Sequence, residues 1–165
     1  MSIFIISDTH FNHKKLSEIG ERPEDFTEII IDNWHNKVKE TDTVIHLGDV
    51  ILGQASQLPD IMLRLPGIKI LVRGNHDEKP SWFEKRGFAL VVDSFIRNHI
   101  LFTHIPVTPI PNNILFNIHG YFHGNTHRYE DLDDLNYYFL NQNLYKEIII
   151  EKTLSPILLE EFLKV

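Results

Sequence analysis

The chain of 165 residues contains no cysteine. Disulfide stapling, thiolate catalysis and a cysteine-ligated zinc site are therefore excluded, and any metal must rest on His, Asp, Glu or Asn. No apolar run approaches the roughly 20 residues that a membrane helix needs. Basic charge is scarce as well: 16 Lys and Arg stand against 23 Asp and Glu, for a formal net charge of -7. A protein that grips nucleic acid through its phosphates needs the opposite balance. A nucleotide substrate stays compatible with it, because bound cations can neutralise clustered carboxylates. Repeats and low-complexity tracts are missing too. The stretch Met1-Ser2-Ile3-Phe4-Ile5-Ile6-Ser7-Asp8 has neither the basic region nor the apolar length of a signal peptide. The expectation is a cytoplasmic protein with no membrane partner.

What is present suits one globular domain spanning 1–165, since 42% of the residues are hydrophobic and 11% aromatic, enough for an ordinary core. Residues 3–6, 43–47 and 68–72 are short apolar runs that read as buried strands. Between the first two, Phe26, Ile30, Trp34 and Val38 recur every four residues behind the acidic Pro23-Glu24-Asp25, which predicts a helix. Residues 56–65 and 80–86 are further helix candidates. From Phe88 onward strands follow closely, at 89–92, 95–102, 115–118, 137–140 and 145–150. Ser155 as N-cap with Pro156 at the first position predicts a last helix through Leu158, Leu159 and Phe162. This order implies β/α units followed by a more antiparallel part, an α/β or α+β fold around a pair of sheets.

The chemistry-bearing residues fall where these strands end. Asp8-Thr9-His10 follows the first, Gly48-Asp49 the second and Gly74-Asn75-His76-Asp77 the third. His104 ends the 100–102 run, and His119-Gly120 with His123 ends 115–118. In open α/β sheets, ligands bind beyond the carboxyl ends of the strands, so the clusters can converge. Each alone has a bland explanation, such as turn chemistry for Gly48-Asp49; together, in this order, they point to a site. Oxygen and imidazole donors without sulfur suit Mn²⁺, Fe, Zn²⁺, Mg²⁺ or Ni²⁺. A pair of such cations roughly 3.5–4 Å apart activates water and neutralises phosphoryl charge, and a nearby imidazole can protonate the departing oxygen.

The series Asp8-x-His10, Gly48-Asp49, Gly74-Asn75-His76-Asp77, His104-x-Pro106 and His119-Gly120-x-x-His123 resembles the calcineurin-like metallophosphoesterase superfamily. More narrowly it is similar to the small bacterial and phage members, through Ser7-Asp8-x-His10-Phe11 with His13, Arg22-Pro23, Asn33-Trp34 and Leu154-Ser155-Pro156-Ile157 followed by Glu160-Glu161. That resemblance implies a four-layer αββα sandwich of two mixed β-sheets flanked by helices. It also implies hydrolysis of a small phosphate ester, by attack of a metal-bridging hydroxide with His76 assisting the leaving group. Two divalent cations are implied, Mn²⁺ foremost. Asp8, His10 and His123 would hold the first, Asp49 would bridge, and Asn75 and His104 would hold the second. Asp77 would orient His76. His13 and Arg73 would reach substrate phosphate or support the loops.

One position departs from the pattern. The family's closing H-G-H-x-H motif is here His119-Gly120-Tyr121-Phe122-His123, so a phenol stands where the second metal's histidine is usual. A neutral phenol, pKa about 10, is a poor ligand, which predicts a weakened second site filled by water, Tyr121 or substrate. A different register, with Gly124-Asn125-Thr126-His127 as the closing motif, keeps His127 a candidate ligand, and the role of His119 is open. His46, inside a predicted strand, reads as a packed, hydrogen-bonded histidine. Three functions follow: a phosphatase or phosphodiesterase acting on a small phosphorylated compound, with a nucleotide among the candidates; a metal-binding recognition module without turnover; or a nuclease, which the acidic composition does not favour.

Overall fold

The computed structural model describes residues 1–19, 21–124 and 142–164. Strands β1 (Ile3–Ile6), β2 (Thr43–His46), β3 (Ile68–Val72) and β4 (Phe88–Val92) pair in parallel, neighbour to neighbour. The short β9 (Ile157–Leu158) adds antiparallel to β1. The first sheet therefore runs β4-β3-β2-β1-β9. Its near-continuous Val, Ile and Leu runs are those of strands covered on both faces. The second sheet runs β5-β6-β7-β8, from β5 (Phe95–Arg97), β6 (Ile100–Phe102), β7 (Phe116–His119) and β8 (Tyr145–Glu147). In it β5 pairs antiparallel with β6, and the other pairs are parallel. The outcome is the expected α/β arrangement of two mixed sheets with helices.

Alternation along the strands builds the layers. Ile5, Ile45, Leu47 and Val72 face Ile100, Phe102 and Ile118 of the second sheet and fill the space between the sheets. Their neighbours Phe4, Ile6, Val44 and Leu71 turn the other way. There they meet α2 (Phe26–Lys37), whose buried stripe is Phe26, Ile30, Ile31 and Trp34, and α3 (Leu58–Arg64). The Trp34 indole N–H donates to the Pro66 carbonyl at 3.0 Å, so the largest buried side chain leaves no polar atom unpaired. The outer face of the second sheet carries Leu101, Tyr145 and, from the loops, Ile110, Ile114 and Phe122. Residues 137–140, expected as a strand, lie outside the described residues.

Several boundaries differ from the sequence expectation for local reasons. The 95–102 run is a hairpin, because Asn98 and His99 both adopt positive φ (50° and 61°). Two successive left-handed residues make the tight turn that suits antiparallel strands. Lys14–Glu18 forms a five-residue helix, α1, too short to show a periodicity. The 80–86 candidate shortens to α4 (Pro80–Glu84), and the last helix, α5, covers only Leu159–Phe162, which Ser155 does not cap. Pro156 instead precedes an extended pair that completes the sheet beside β1, where half-buried Ile157 packs on the inter-sheet layer and half-buried Leu158 on the helix layer. Residues 145–150 shorten to Tyr145–Glu147, followed by a 3₁₀ turn at Ile150–Lys152. No helix among the described residues is long and apolar enough to cross a membrane.

Phe102 is fully buried between the sheets and stacks on Phe95 at 4.8 Å between ring centroids. Phe102→Ala should cost about 3–5 kcal/mol of unfolding free energy in urea titrations, the usual penalty for an emptied aromatic site.

Candidate metal centre

The loops after β1 and β2 run side by side beyond the sheet. Asp8 N–H donates to the Gly48 carbonyl (2.9 Å), His10 N–H to Asp49 (3.0 Å) and Phe11 N–H to Val50 (2.9 Å). This continued pairing brings Asp8, His10 and Asp49 together. All three have left-handed backbones, with φ of 52°, 43° and 57°, as do Tyr121 (78°) and His123 (58°). Non-glycine residues reach that region at a cost of about 1–3 kcal/mol each, and persist there when the surroundings leave no alternative.

Glycine lets the loops touch. A Cβ on Gly74 would overlap Asp49, with the Asp49 backbone N only 2.5 Å away, and one on Gly120 would overlap Ser7 and Asp8 side chains. Gly48 has φ 91°, and a Cβ there would meet the Gly74 backbone at 2.6 Å and His104 Nδ1 at 2.7 Å. Asp77 then ties the loops. Its Oδ2 accepts from the N–H groups of Asp49 and Gly74, both at 2.8 Å, and its Oδ1 from Val50 N–H at 2.9 Å. Both oxygens are engaged by backbone, so the expected role of Asp77 as the partner of the His76 imidazole is corrected: it braces the ligand-bearing turns. Burial pushes its carboxyl up, against the pull of these N–H donors.

Two groups of side chains result that could each hold a cation, Asp8 with His10 and His123, and Asp8 with Asp49 and His104; within each, one donor atom per residue lies within 4.8 Å of the others. Asp49 Oδ2 sits between the groups, 3.7 Å from His10 Nε2 and 3.5 Å from His104 Nε2. Asn75 Oδ1 is 3.0 Å from His104 Nε2. Asp8 Oδ1 is buried without a hydrogen-bond partner among the described residues, 3.3 Å from His123 Nε2. A cation-sized positive charge is what such an orphaned oxygen lacks. The hard oxygen and imidazole donors fit a first-row divalent ion.

Tautomers agree with that fit. His104 Nδ1 is 2.7 Å from the Leu47 carbonyl and His123 Nδ1 is 2.8 Å from Glu151 Oε1. Each Nδ1 therefore carries hydrogen and leaves Nε2 facing the carboxylates. In the metal-free chain burial works against charge on both rings, but Asp49 and Asp8 outweigh it at His104, and Asp8 and Glu151 at His123. Both pKa values rise to about 9. Asp8 is held well below the usual carboxylate range: burial opposes this, and His123 and His104 override it. Burial dominates at His10, whose pKa falls to about 4 despite Asp8 and Asp49.

The remaining candidates fall around this centre. His76 is exposed at its rim, with its ring 6.2 Å from His10, and its N–H donates to Asp49 Oδ1 at 3.0 Å. The His13 ring is 6.0 Å from that of His10, on the open side. Tyr121 stands edge-on to His104 at 5.5 Å between centroids, and its N–H donates to Asp8 Oδ2 at 3.1 Å. Arg73 pairs with Asp93 through Nε (3.0 Å) and Nη2 (2.6 Å). His119 is wholly buried, packs edge-on to Phe122 and Tyr145, and belongs to neither donor group. His127 lies outside the described residues. His46 bonds the Thr9 hydroxyl at 2.9 Å behind the Asp8-Thr9-His10 turn, as a packed histidine should. Sequence reading did not assign a role to Arg22 or Glu151, which also reach the centre. Glu151 lies in a 3₁₀ turn far along the chain, where no local pattern marks it.

Three outcomes test this geometry. Asparagine at 77 offers one acceptor and sets an NH₂ group against a backbone donor, so Asp77→Asn should lose about 2–3 kcal/mol of unfolding free energy. The raised His104 and His123 pKa values contribute stability that is fully present below their ordinary value near 6.5 and is lost as pH rises through about 9. The metal-free protein should therefore melt at progressively lower temperature between those limits. A cation must displace the same protons, so uptake at pH 7.5 should release protons, read as a buffer-dependent binding enthalpy.

Comparison with known proteins agrees with the geometry. A curated relative, an uncharacterised protein of Methanocaldococcus jannaschii, is 36% identical over 99 residues, which cover 54% of this chain and 56% of that one. The match thus spans about half the relative's length. The crystal structure of a protein of unknown function from Aquifex aeolicus superposes with a TM-score of 0.74 at 27% identity, covering 99% of this chain and 98% of the other. The model of the calcineurin-like phosphoesterase family matches residues 1–162. Match length, fold and the convergence of Asp8, His10, Asp49, His104 and His123 lead to one conclusion: the chain belongs to the calcineurin-like phosphoesterase family.

Proposed function

We propose that this chain hydrolyses a small phosphate ester, such as a nucleotide, at the donor cluster that these loops bring together. The observation that supports it most is Asp49 Oδ2 between His10 Nε2 and His104 Nε2, at 3.7 and 3.5 Å, with the orphaned Asp8 Oδ1 alongside. That is the arrangement of donors a pair of cations requires, with carboxylates shared between them.

Asp8, His10, Asp49 and His123 would hold one cation, and Asp49, Asn75 and His104 the other, with Mn²⁺ among the ions that this mixed oxygen and imidazole set suits. When bound, two such ions lower the pKa of water and neutralise charge on phosphoryl oxygens. The protein's own part is positional. Left-handed backbones at Asp8, His10 and Asp49 aim three side chains inward, and the Nδ1 bonds of His104 and His123 fix their ring orientations. His76, exposed beside His10, is the group within reach of a leaving-group oxygen and would donate its proton there. Such general acids contribute about 10²–10⁴-fold. His13, on the same open side, would meet a phosphate oxygen.

Tyr121 supports a second reading, a recognition module with a decayed second site, because a phenol ring occupies the flank of His104. Tyr121→His separates the two, since a large gain in rate marks decay and little change marks an adapted site.

Chelator-stripped protein given Mn²⁺ should hydrolyse aryl phosphate monoesters or diesters in a metal-dependent way. His76→Ala should lower kcat by about 10²–10⁴-fold while leaving metal uptake intact. Absence of turnover of either ester class with Mn²⁺, Ni²⁺, Mg²⁺ and Zn²⁺ alike would remove the enzymatic reading.

A further inference from the structure

Arg22 is separated from every candidate ligand in sequence and buried beneath them, its side chain fully inaccessible. Its guanidinium makes four donations to oxygen, and Nη2 also lies 3.4 Å from His123 Nδ1. Nη2 donates to the Asp8 carbonyl at 2.7 Å and Nη1 to the Thr9 carbonyl at 2.8 Å. Nε and Nη2 both donate to Glu151 Oε1, at 3.1 and 2.5 Å. That same oxygen accepts from His123 Nδ1 at 2.8 Å. One cation thus reaches the backbone of the Asp8-Thr9-His10 turn directly and the His123 ring through a single carboxylate.

We infer that the Arg22–Glu151 pair is the positioning device of the first metal site, fixing the Asp8-Thr9-His10 turn and the His123 tautomer together. This rests on the reading of the cluster as a metal centre.

Three lines carry it. Burying a guanidinium and a carboxylate is costly, and a buried ion pair adds little net stability over well-packed apolar residues. The bonds here end on the backbone of one ligand-bearing turn and on the ring of another ligand. Asp8 and His10 both sit in left-handed conformations, which need outside constraint to persist, and Arg22 bonds the carbonyls of Asp8 and Thr9 between them. Finally, a carboxylate on the far nitrogen of a metal-binding imidazole sets which nitrogen faces the ion, and losing it typically weakens binding 10–100-fold. Local sequence favours the placement: Pro23 restricts Arg22 to extended backbone, and its guanidinium lies over the Phe26 ring at 5.2 Å from the centroid, at the start of α2.

Neither Arg22 nor Glu151 bonds Asp49, Asn75 or His104, the residues that would hold the second cation. His104 takes its orientation from the Leu47 carbonyl instead. The inference therefore separates the two sites. Titration of the full chain with Mn²⁺ should show two classes of site, and Glu151→Gln should weaken one by 10–100-fold while leaving the other within about twofold. Arg22→Lys, which cannot make the forked contact, should give the same split. An unchanged isotherm in a folded Glu151→Gln protein overturns the inference, and so does equal weakening of both sites, the mark of a merely structural role. A measurement free of any substitution is the ¹⁵N long-range spectrum of the Zn²⁺-loaded chain. Hydrogen on Nδ1 of His123 with Nε2 metallated is expected, and the reverse tautomer overturns the assignment. An unmutated chain that takes up neither Mn²⁺ nor Zn²⁺ overturns the metal-centre reading itself, and the inference with it.

Discussion

Backbone contact between loops, closer than a methyl group allows, is the constraint on which the site depends. Gly74 lies against the Asp49 backbone, and Gly120 against Ser7 and Asp8, with no room for a Cβ at either. Only this proximity lets one carboxylate, Asp77, collect N–H groups from both the Asp49 turn and the Gly74 loop. It also lets Asp49 reach His10 and His104 at once. The metal-type side chains are short, so their convergence is decided by how near the main chains come.

The two sheets provide the platform for this approach. Because β1, β2 and β3 are parallel, their carboxyl ends emerge at one edge and deliver three loops in register. In the second sheet β6 and β7 are parallel as well, which sends His104 and the Gly120 loop to the same end. The Ile5, Ile45 and Leu47 layer against Phe102 and Ile118 holds the sheets face to face. Packing and chemistry meet at single residues: Leu47 belongs to that core while its carbonyl accepts from both Ser7 and His104.

The parallel half of the fold was legible because buried strands such as 3–6 and 43–47 are unbroken apolar runs, and α2 has a clear four-residue period. The donor positions were legible for a related reason: each strand ends abruptly in Asp, Asn, His or Gly. Local pattern could not show what tertiary contact decides. Asn98-His99 interrupts the 95–102 run with turn-compatible residues, but without a glycine the two-residue turn is not marked strongly. Ile157-Leu158 follows Pro156 and reads as helix, yet a vacant edge on β1 makes it a strand. Asp77 stands next to His76 in sequence and invites pairing with it, while the N–H groups that claim its oxygens come from residues 49, 50 and 74. Glu151 meets Arg22 across 129 positions, a separation no periodicity encodes.

The antiparallel addition of β9 to β1 has a consequence for how the molecule can be divided. The strand that delivers Asp8 is flanked on one side by Thr43–His46 and on the other by Ile157–Leu158. The first donor group draws on both ends of the sequence, since Asp8 and His10 come early and His123 leans on Glu151. A fragment ending after the parallel β/α units would leave β1 as an open edge and His123 absent. Neither donor group is complete without the second half of the chain, since one needs His123 and the other His104.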